Sequence, residues 1–343
     1  MTPPEPPHEP PAGSGTERPS GAPAGRADER ASGGRRAVGA SGDFVMDADW
    51  VGPHPHPSRP VFRPPAGAVD ARCHVFGPGA AFPYAPERGY TPCDAPAETL
   101  AALHASLGFD RRVLVQPACH GTDHRALVDA LDRADGAARG VALAVPEVAD
   151  GALDALDRAG VRALRFDLQG AGGPHSDPAA SAAALDALAP RLADRGWHAV
   201  VDLDVASLDG GLRDRIASLG CPVAVEHLGR PNVTEPVDGP GFSRLVALME
   251  AAAHVWVDLG RPERLSLRGE ATAFDDVEPF ERWLVERFPD RTLWGSGWPH
   301  PHVRGAAPDD GALVDRIPRA ARSPREQRAL LVDNPGRLYW GEG

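Results

Sequence analysis

From Ala66 to the C-terminus, short runs of apolar and β-branched residues alternate with longer amphipathic stretches rich in alanine and leucine. This alternation is typical of strand–helix units that build a parallel sheet. The apolar runs predict eight strands, at residues 68–76, 112–116, 140–145, 161–167, 198–203, 222–227, 255–259 and 292–294. The stretches between and after them predict helices at 97–107, 126–134, 153–159, 180–195, 212–219, 242–253, 277–287 and 325–331, with Asp150 and Ser323 as helix N-caps.

Eight strand–helix units within about 280 residues predict an α/β fold of the (β/α)8 TIM-barrel type, which typically takes about 250 residues. The alternative is a doubly wound open sheet, which usually carries a glycine-rich phosphate-binding turn after its first strand. The segment Gly77-Pro78-Gly79 does not match that turn. We therefore predict a barrel over residues 61–343, with its chemistry at the C-terminal ends of the strands.

Residues 1–60 have a different character, because proline, glycine, alanine, serine and arginine dominate and apolar periodicity is nearly missing. A segment of this composition buries too little apolar surface to offset the loss of chain entropy on folding. We predict a disordered tail that is dispensable for folding. His54-Pro55-His56 resembles a metal-binding pair, but its prolines disfavour an ordered strand, so we assign it to the tail.

The composition excludes several classes of partner. Forty-eight acidic residues against 36 basic ones give a net charge of -12. The chain therefore lacks the excess of basic residues that is typical of nucleic-acid-binding proteins. No run of about 18 consecutive apolar residues and no signal-peptide pattern is present, so we expect a cytoplasmic protein with no membrane partner. The four cysteines form no CxxC pair, which argues against a zinc ribbon or a disulfide scaffold.

All 36 basic residues are arginine, because the sequence contains no lysine. Schiff-base catalysis, a phosphate-binding P-loop and a metal bridge through a carbamylated lysine each need a primary amine. The guanidinium group of arginine stays protonated and cannot replace that amine. These three chemistries are therefore excluded.

Polar residues follow seven of the eight predicted strands, where a barrel would bring them to one mouth. They include Arg72, His74, His120, Arg165, Asp167, Asp202, Asp204, Glu226, His227, Arg230, Arg261, Arg264 and His300. The alternation of side chains along a strand places Arg72 and His74 on one side and Cys73 on the other.

Three of these residues, Arg165, Arg230 and Arg264, form a predicted cationic cluster suited to binding carboxylates. The alternative is that the arginines pair with acidic residues of the chain itself, for which the candidates are Asp167, Asp202, Glu226 and Glu263.

The sequence from residue 69 to 79, VDARCHVFGPG, resembles the 2-pyrone-4,6-dicarboxylate lactonase group of the amidohydrolase superfamily. Further similar motifs follow in order at residues 82–94, 227–231, 262–266, 294–301 and 331–335, so the resemblance extends from about Ala66 to Trp340. It implies a (β/α)8 barrel and metal-independent hydrolysis of a small cyclic ester that carries carboxylates.

The resemblance also implies roles for individual residues. His74 matches the second histidine of the family's His-x-His motif on strand one, and His227 matches the histidine that ends strand six. Arginines that hold the substrate carboxylates in the family are matched by Arg165, Arg230 and Arg264, whereas Tyr90 and Thr91 lie in the matching substrate loop.

The sequence departs from the family pattern at several site positions. Arg72 replaces the first histidine of the pair, and Gly297 replaces the aspartate of Trp-Gly-x-Asp-Trp-Pro. In the family that aspartate is the general base that activates water, a role that glycine cannot perform. The strand-five tyrosine of the family falls at Asp202, and a further substrate arginine falls near Ala171.

Three functional hypotheses remain open. The first is a hydrolase of a small anionic lactone, in which His74 and His227 polarise the carbonyl and Arg72 contacts the substrate. Asp202 is then the first choice for the replacement base, ahead of Asp167 and Asp258.

The second hypothesis is a lyase or isomerase in which Arg72 stabilises developing negative charge. The third is a catalytically inactive barrel that binds a small anion or a protein partner. In each case we expect no cofactor and no metal ion, because Arg72 would repel a cation from the strand-one position.

Overall fold

The computed structural model describes Met1 and residues 46–47, 50–170, 177–303 and 305–342. Within the compact unit of residues 38–343, eight parallel strands pair in chain order. They are β1 (Val69–Cys73), β2 (Arg111–Val115), β3 (Ala138–Ala142), β4 (Val161–Asp167), β5 (His198–Asp202), β6 (Val223–Val225), β7 (Val255–Asp258) and β8 (Thr292–Leu293). The predicted (β/α)8 barrel is therefore confirmed.

Backbone hydrogen bonds join the segment after β8 to β1 and so complete the ring. The amide of Ala71 donates to the carbonyl oxygen of Trp294 at 2.9 Å, and the amide of His74 donates to Trp298 at 2.8 Å. In the opposite direction the amide of Gly297 donates to the carbonyl oxygen of Arg72 at 2.8 Å. This seam holds Gly297 beside Arg72, two positions at which the sequence departs from the family pattern.

Helices cover the outside of the strands. They are α1 (Ala97–Leu107), α2 (Arg125–Arg133), α3 (Asp150–Arg158), α4 (Pro178–Asp194), α5 (Gly210–Ala217), α6 (Pro240–Ala251), α7 (Glu278–Arg287), α8 (Asp310–Asp315), α9 (Ile317–Ala320) and α10 (Pro324–Arg328). Ser323 caps α10 as predicted, through a reciprocal capping box with Glu326. Asp150 is the first residue of α3 and Ala149 is its N-cap, so the predicted cap is off by one position.

Two hydrophobic layers follow from the alternation of side chains along the strands. The inner layer fills the barrel with residues such as Val113, Val141 and Trp256, whereas the outer layer packs the strands against the helices. Tyr339 belongs to the inner layer, and its ring meets His198, the first residue of β5, at 4.6 Å. The apolar filling thus closes the N-terminal end of the barrel and leaves polar residues at the C-terminal end.

Most of the predicted tail, residues 2–45 and 48–49, lies outside the described residues. The described part contacts the barrel: Asp47 accepts a hydrogen bond from the amide of Thr91 at 2.8 Å, and Trp50 stacks on Tyr90 at 5.0 Å. The amide of Ser58 donates to Asp309 at 2.8 Å. The stretch from Trp50 to Ser58, which its composition assigns to a disordered tail, is therefore anchored to the barrel.

None of the helices in the described parts of the chain combines the length and the hydropathy of a membrane-spanning segment.

Candidate active site

Arg72 and His74 both face the inside of the barrel at the end of β1, whereas the Cys73 thiol points away and donates to the backbone of Val113. The Arg72 guanidinium donates to Glu226 at the end of β6. Its Nε lies 3.9 Å from Oδ2 of Asp258, the last residue of β7. The predicted placement of Arg72 and His74 on one side of the strand is thus confirmed, and Arg72 links three strands.

His74 has one defined tautomer. Its Nδ1 lies 2.8 Å from the carbonyl oxygen of Val115, which can only accept, so Nδ1 carries the hydrogen and Nε2 presents a lone pair. Nε2 has no hydrogen-bond partner within the described residues. Burial, followed by the charge of Arg72, lowers the pKa of His74 well below its usual value. The geometry therefore makes His74 a hydrogen-bond acceptor, which does not suit the expected polarisation of a carbonyl.

Residues 227–230 form a left-handed turn at the end of β6. The four consecutive residues His227, Leu228, Gly229 and Arg230 have φ angles of 53°, 54°, 66° and 55°. Three of them are not glycine, and such backbone strain persists only where the surroundings hold it. A Cβ on Gly229 would lie 2.7 Å from Cγ1 of Val205, so glycine is needed at this position.

The left-handed turn buries the ring of His227 completely. Neither ring nitrogen has a hydrogen-bond partner in the described parts of the chain. Burial lowers the pKa of His227 well below its usual value, and Arg72 and Arg230 add to the effect. His227 is consequently a neutral imidazole whose two ring nitrogens form no hydrogen bond with the described residues.

Asp202 and Glu226 are held by arginines. Arg230 donates to Asp202 through Nε at 3.0 Å and through its terminal nitrogen at 2.7 Å, and Arg165 adds a bond at 2.8 Å. Arg165 also donates to Glu226 at 3.0 Å through both Nε and a terminal nitrogen. Burial opposes ionisation of Glu226, but Arg165 and Arg72 outweigh it and lower its pKa.

In these ion pairs Arg165 and Arg230 bind acidic residues of the chain itself, which is the alternative to binding the carboxylates of a ligand. The same ion pairs also count against Asp202 as the replacement base, because both of its oxygens already accept hydrogen bonds from guanidinium groups.

Arg264 differs from the other two arginines of the predicted cluster. Its side chain forms no ion pair or hydrogen bond with the described residues. Burial, followed by the like charges of Arg261 and Arg230, lowers the pKa of Arg264 to about 9. Arg264 is thus a cation close to two other cations, and it has no acidic partner in the described structure. An anionic ligand can therefore bind to its guanidinium group.

Tyr90 and Thr91 occupy the loop that precedes α1. Tyr90 packs between Trp50, at 5.0 Å, and the ring of His302, which it meets edge-on at 4.7 Å. The Thr91 hydroxyl accepts a hydrogen bond from Arg88 at 2.9 Å. Tyr90 therefore contributes an apolar wall, and the Thr91 hydroxyl already has a partner. Ala171 lies outside the described residues.

The two remaining candidate bases have different surroundings. Oδ1 of Asp167 accepts hydrogen bonds from the amides of Gln169 and Gly170, at 2.9 and 3.1 Å, and so shapes the loop after β4. Oδ1 of Asp258 accepts from the amide of Gly260 at 2.8 Å, while its Oδ2 has no partner among the residues described. Burial raises the pKa of Asp258 to about 7 despite the opposing charge of Arg72.

Arg261 is a site residue whose importance the sequence does not reveal. Its φ angle is 70°, its side chain is 1% exposed, and its Nε donates to Glu263 at 3.0 Å. Its guanidinium also donates to the carbonyl oxygen of Pro301. The side chain passes against Gly297, so a cation lies beside the position where the family pattern has an acid.

His300 is a second such residue, which the sequence marks only as one of the polar residues after the eighth strand. Its Nε2 lies 3.0 Å from Asp310 and its Nδ1 lies 3.2 Å from Glu263. Burial alone would lower the pKa of His300, but Asp310 and Glu263 raise it to about 9. His300 is therefore a buried imidazolium between two carboxylates, and it positions Glu263 against Arg261.

Among the residues that the structure describes, two clusters have the residue types of a metal site. The ligand atoms of Asp202, Glu226 and His227 lie within 4.8 Å of one another. Both carboxylates accept hydrogen bonds from guanidinium groups, and Arg72 and Arg230 bring positive charge to the same place. A divalent cation would meet repulsion from these arginines and competition for the oxygens, so the cluster does not fit a metal ion.

The second cluster, Asp70, Cys73 and His104, lies on the outer side of β1. Oδ2 of Asp70 is engaged by His104 at 2.9 Å and by the hydroxyl of Ser296 at 2.6 Å. Burial raises the pKa of the Cys73 thiol well above its usual value, which disfavours the thiolate that a metal needs. This cluster closes the seam between β1 and β8.

Comparison with known proteins agrees with this architecture. The Amidohydrolase family model matches residues 69–340. A 2-pyrone-4,6-dicarboxylate hydrolase of Comamonas testosteroni is 47% identical over 305 residues, which cover 87% of this chain and 98% of the relative. A 4-sulfomuconolactone hydrolase of Hydrogenophaga intermedia is 34% identical over 292 residues, covering 84% and 94%. A solved Agrobacterium tumefaciens structure has a TM-score of 0.71 at 24% identity, covers 82% of this chain and 98% of its own, and shows the same fold.

Proposed function

Because the chain belongs to the amidohydrolase family, we propose that it hydrolyses a small lactone carrying carboxylate or similar anionic groups, and that it does so without a metal ion. The observation that carries the proposal is the pairing of neutral, buried imidazoles with an arginine that lacks an acidic partner. His74 and His227 offer unpartnered ring nitrogens, and Arg264 offers a free guanidinium within the described site.

Arg264 supplies the first step, which is binding of the anionic group. A carboxylate or sulfonate on the lactone ring can accept two parallel hydrogen bonds from a guanidinium group. Arg230 lies close enough to Arg264 for its charge to lower the pKa of that residue. An anion bound here relieves the repulsion between the two cations, so binding is favoured by more than the contact with Arg264 alone.

His227 supplies the second step, which is polarisation of the lactone carbonyl. A neutral imidazole donates one N–H, and neither ring nitrogen of His227 is engaged by the described parts of the protein. As water attacks, negative charge develops on the carbonyl oxygen, and the positive charges of Arg72 and Arg230 beside His227 stabilise it. His74, whose Nε2 is an acceptor, is left to bind a hydroxyl or a water hydrogen.

The relatives support this choice of substrate class. The two hydrolases named above act, by their names, on a pyrone dicarboxylate and on a sulfomuconolactone, which are both anionic lactones. The departures at Arg72 and Gly297 change the charge of the site without removing His74, His227 or the carboxylate-binding arginines.

A matched substrate panel tests the proposal. Chelator-treated protein is assayed with 2-pyrone-4,6-dicarboxylate, with 4-sulfomuconolactone, and with an uncharged pyrone of the same ring size as the control. We expect ring opening of at least one anionic lactone, with kcat/KM at least about 100-fold above the uncharged control, because a charge-assisted bidentate contact contributes roughly 3 kcal/mol. No ring opening, or equal rates on charged and uncharged rings, would contradict the proposal.

A further inference from the structure

Two buried polar atoms from the ends of β1 and β7, the strands on either side of β8, lie close together without a hydrogen bond. They are the Nε–H of Arg72 on β1 and Oδ2 of Asp258 on β7, which lie 3.9 Å apart. Neither has a hydrogen-bond partner in the described structure, and the two side chains are only 5% and 9% exposed. A buried donor and a buried acceptor without partners each lower the stability of the folded protein. A third group that hydrogen-bonds to both atoms would remove this destabilisation.

The separation of the two atoms defines what that third group can be. A distance of 3.9 Å is too long for a direct hydrogen bond. One oxygen atom at about 2.9 Å from each satisfies both, because it accepts from the Nε–H and donates its own hydrogen to the carboxylate. The unmet hydrogen bonds of the pair therefore match a water molecule or a hydroxyl group, which both accepts and donates, and they do not match a carboxylate or a carbonyl, which cannot donate.

We propose that Arg72 and Asp258 hold the attacking water of the reaction, and that Asp258 is its general base. The inference rests on the proposed function and names the residue that replaces the missing family aspartate. In the step, the water oxygen forms a bond to the lactone carbonyl carbon while its proton passes to Oδ2 of Asp258. The ring C–O bond then breaks, and the departing ring oxygen receives that proton, which returns Asp258 to its ionised form.

The other carboxylates of the mouth are less suited to this role. Asp202 and Glu226 each accept hydrogen bonds from two arginines, which engage both oxygens of each carboxylate. Asp258 has only the Gly260 amide on its other oxygen and a guanidinium 3.9 Å away. Its carboxylate is thus the one least committed to partners, which a proton acceptor requires.

The charges around Asp258 support a base that works near neutrality. Burial favours the protonated form of Asp258, and the negative charges of Glu226 and Asp70 add to this effect, whereas Arg72 favours the ionised form. Together they raise the pKa of Asp258 to about 7. Tyr339 also faces it from the N-terminal filling of the barrel, with a pKa raised by burial and by Asp258, so that its hydroxyl stays neutral. Proton transfer is most efficient when the pKa of the base lies near the working pH.

The pH dependence of kcat/KM tests the inference. Since the ionised form of Asp258 is the active one, kcat/KM of the parent protein should rise with pH through about 7. Asp258→Asn keeps the shape and should lower kcat at least about 100-fold and abolish that rise. Asp202→Asn is the matched comparison: it should change KM, because Arg165 and Arg230 lose their counter-ion, and keep the rise near pH 7.

Chemical rescue keeps the test decisive if Asp258→Asn folds poorly. Asp258→Ala leaves room for a small acid, so added formate should raise the rate of this variant at least about tenfold. Acetamide, which has no basic oxygen, should leave the rate of the variant unchanged. The inference is overturned if the parent protein is active and its rise near pH 7 survives in Asp258→Asn, or if formate has no effect on Asp258→Ala. In either case the proposed function still stands. A parent that opens no anionic lactone overturns the proposed function, and the inference falls with it.

Discussion

A Cβ atom on Gly297 would lie 2.5 Å from Cγ of Arg261. The φ angle of Gly297 is 75°, a region that side chains rarely adopt, and Cδ of Arg261 would lie at 2.6 Å from the same Cβ. The two positions are therefore coupled: the Arg261 side chain reaches Glu263 only because residue 297 has no side chain. The buried position of the Arg261 side chain thus depends on a glycine at residue 297.

This coupling predicts the outcome of restoring the family aspartate. Gly297→Asp alone should destabilise the protein by about 2–4 kcal/mol, because it combines overpacking against Arg261 with a strained backbone. In an Arg261→Gly background, which removes the obstructing side chain and suits the φ of 70° at that residue, the same change should cost at least about 1 kcal/mol less. Urea unfolding of the four proteins of the cycle measures the difference, and equal costs in both backgrounds would show that the positions are independent.

The unpaired guanidinium of Arg264 predicts a binding phenotype. Arg264→Ala should weaken the binding of a dicarboxylate such as 2-pyrone-4,6-dicarboxylate at least about tenfold, because a charge-assisted hydrogen bond contributes roughly 1.5–3 kcal/mol. Arg268→Ala is the matched control, since that arginine is 63% exposed and pairs with Asp275 on the surface. Isothermal titration calorimetry compares the two variants. Similar affinities for both would remove Arg264 from the binding site.

The ion triad of Glu263, His300 and Asp310 predicts how stability depends on pH. Because the pKa of His300 is raised from 6.5 to about 9, its contribution of roughly 3 kcal/mol is fully present below pH 6.5 and is lost as the pH rises through 9. The free energy of unfolding should therefore fall between pH 6.5 and 9.5. In His300→Gln, which cannot ionise, this part of the decrease should disappear. A parent whose stability is flat over the same range would contradict the assignment of a charged His300.

The contacts of Asp47 and Trp50 predict different effects for two truncations. A chain that begins at residue 46 keeps the Trp50–Tyr90 stack and the Asp47–Thr91 hydrogen bond, so its melting temperature should equal that of the full chain. A chain that begins at residue 61 loses both and should melt several degrees lower, since an aromatic pair contributes about 0.5–1.5 kcal/mol beyond its burial. Trp50→Ala in the full chain should reproduce much of that loss. Equal melting temperatures for both truncations would show that the segment is dispensable, as its composition alone predicts.

The sequence predicts the barrel well because the apolar runs are local signals. All eight strands occur where the runs lie, and β4 has the predicted bounds, Val161–Asp167. The predicted bounds differ most at β1, which ends at Cys73 rather than at residue 76, and at β3, which spans Ala138–Ala142 rather than residues 140–145. The strand β6 ends at Val225 rather than at residue 227. The left-handed turn that follows depends on the fit of Gly229 against Val205, a contact between different parts of the chain that no local pattern contains.

The candidate site is only partly predictable for the same reason. The alternation of side chains is enough to place Arg72 with His74. The ion pairs of Asp202 with Arg165 and Arg230 join β4, β5 and the turn after β6, so they depend on the barrel geometry. The sequence favours Asp202 over Asp258 as the replacement base, and an ion pair with Arg261, three residues later, is the structural alternative for Asp258. In the structure Arg261 bonds Glu263 and Pro301 instead, which leaves Oδ2 of Asp258 without a partner in the described structure.

Isotope incorporation tests the central claim, metal-independent hydrolysis of an anionic lactone, most directly. Protein stripped of divalent metals by a chelator is incubated with 2-pyrone-4,6-dicarboxylate in ¹⁸O-labelled water, and the product is examined by mass spectrometry. We expect one ¹⁸O atom per turnover in the newly formed carboxylate, at the rate of untreated protein. A product without ¹⁸O would indicate isomerisation or another non-hydrolytic reaction, and a rate that returns only when zinc or manganese is added would contradict the absence of a metal from the mechanism.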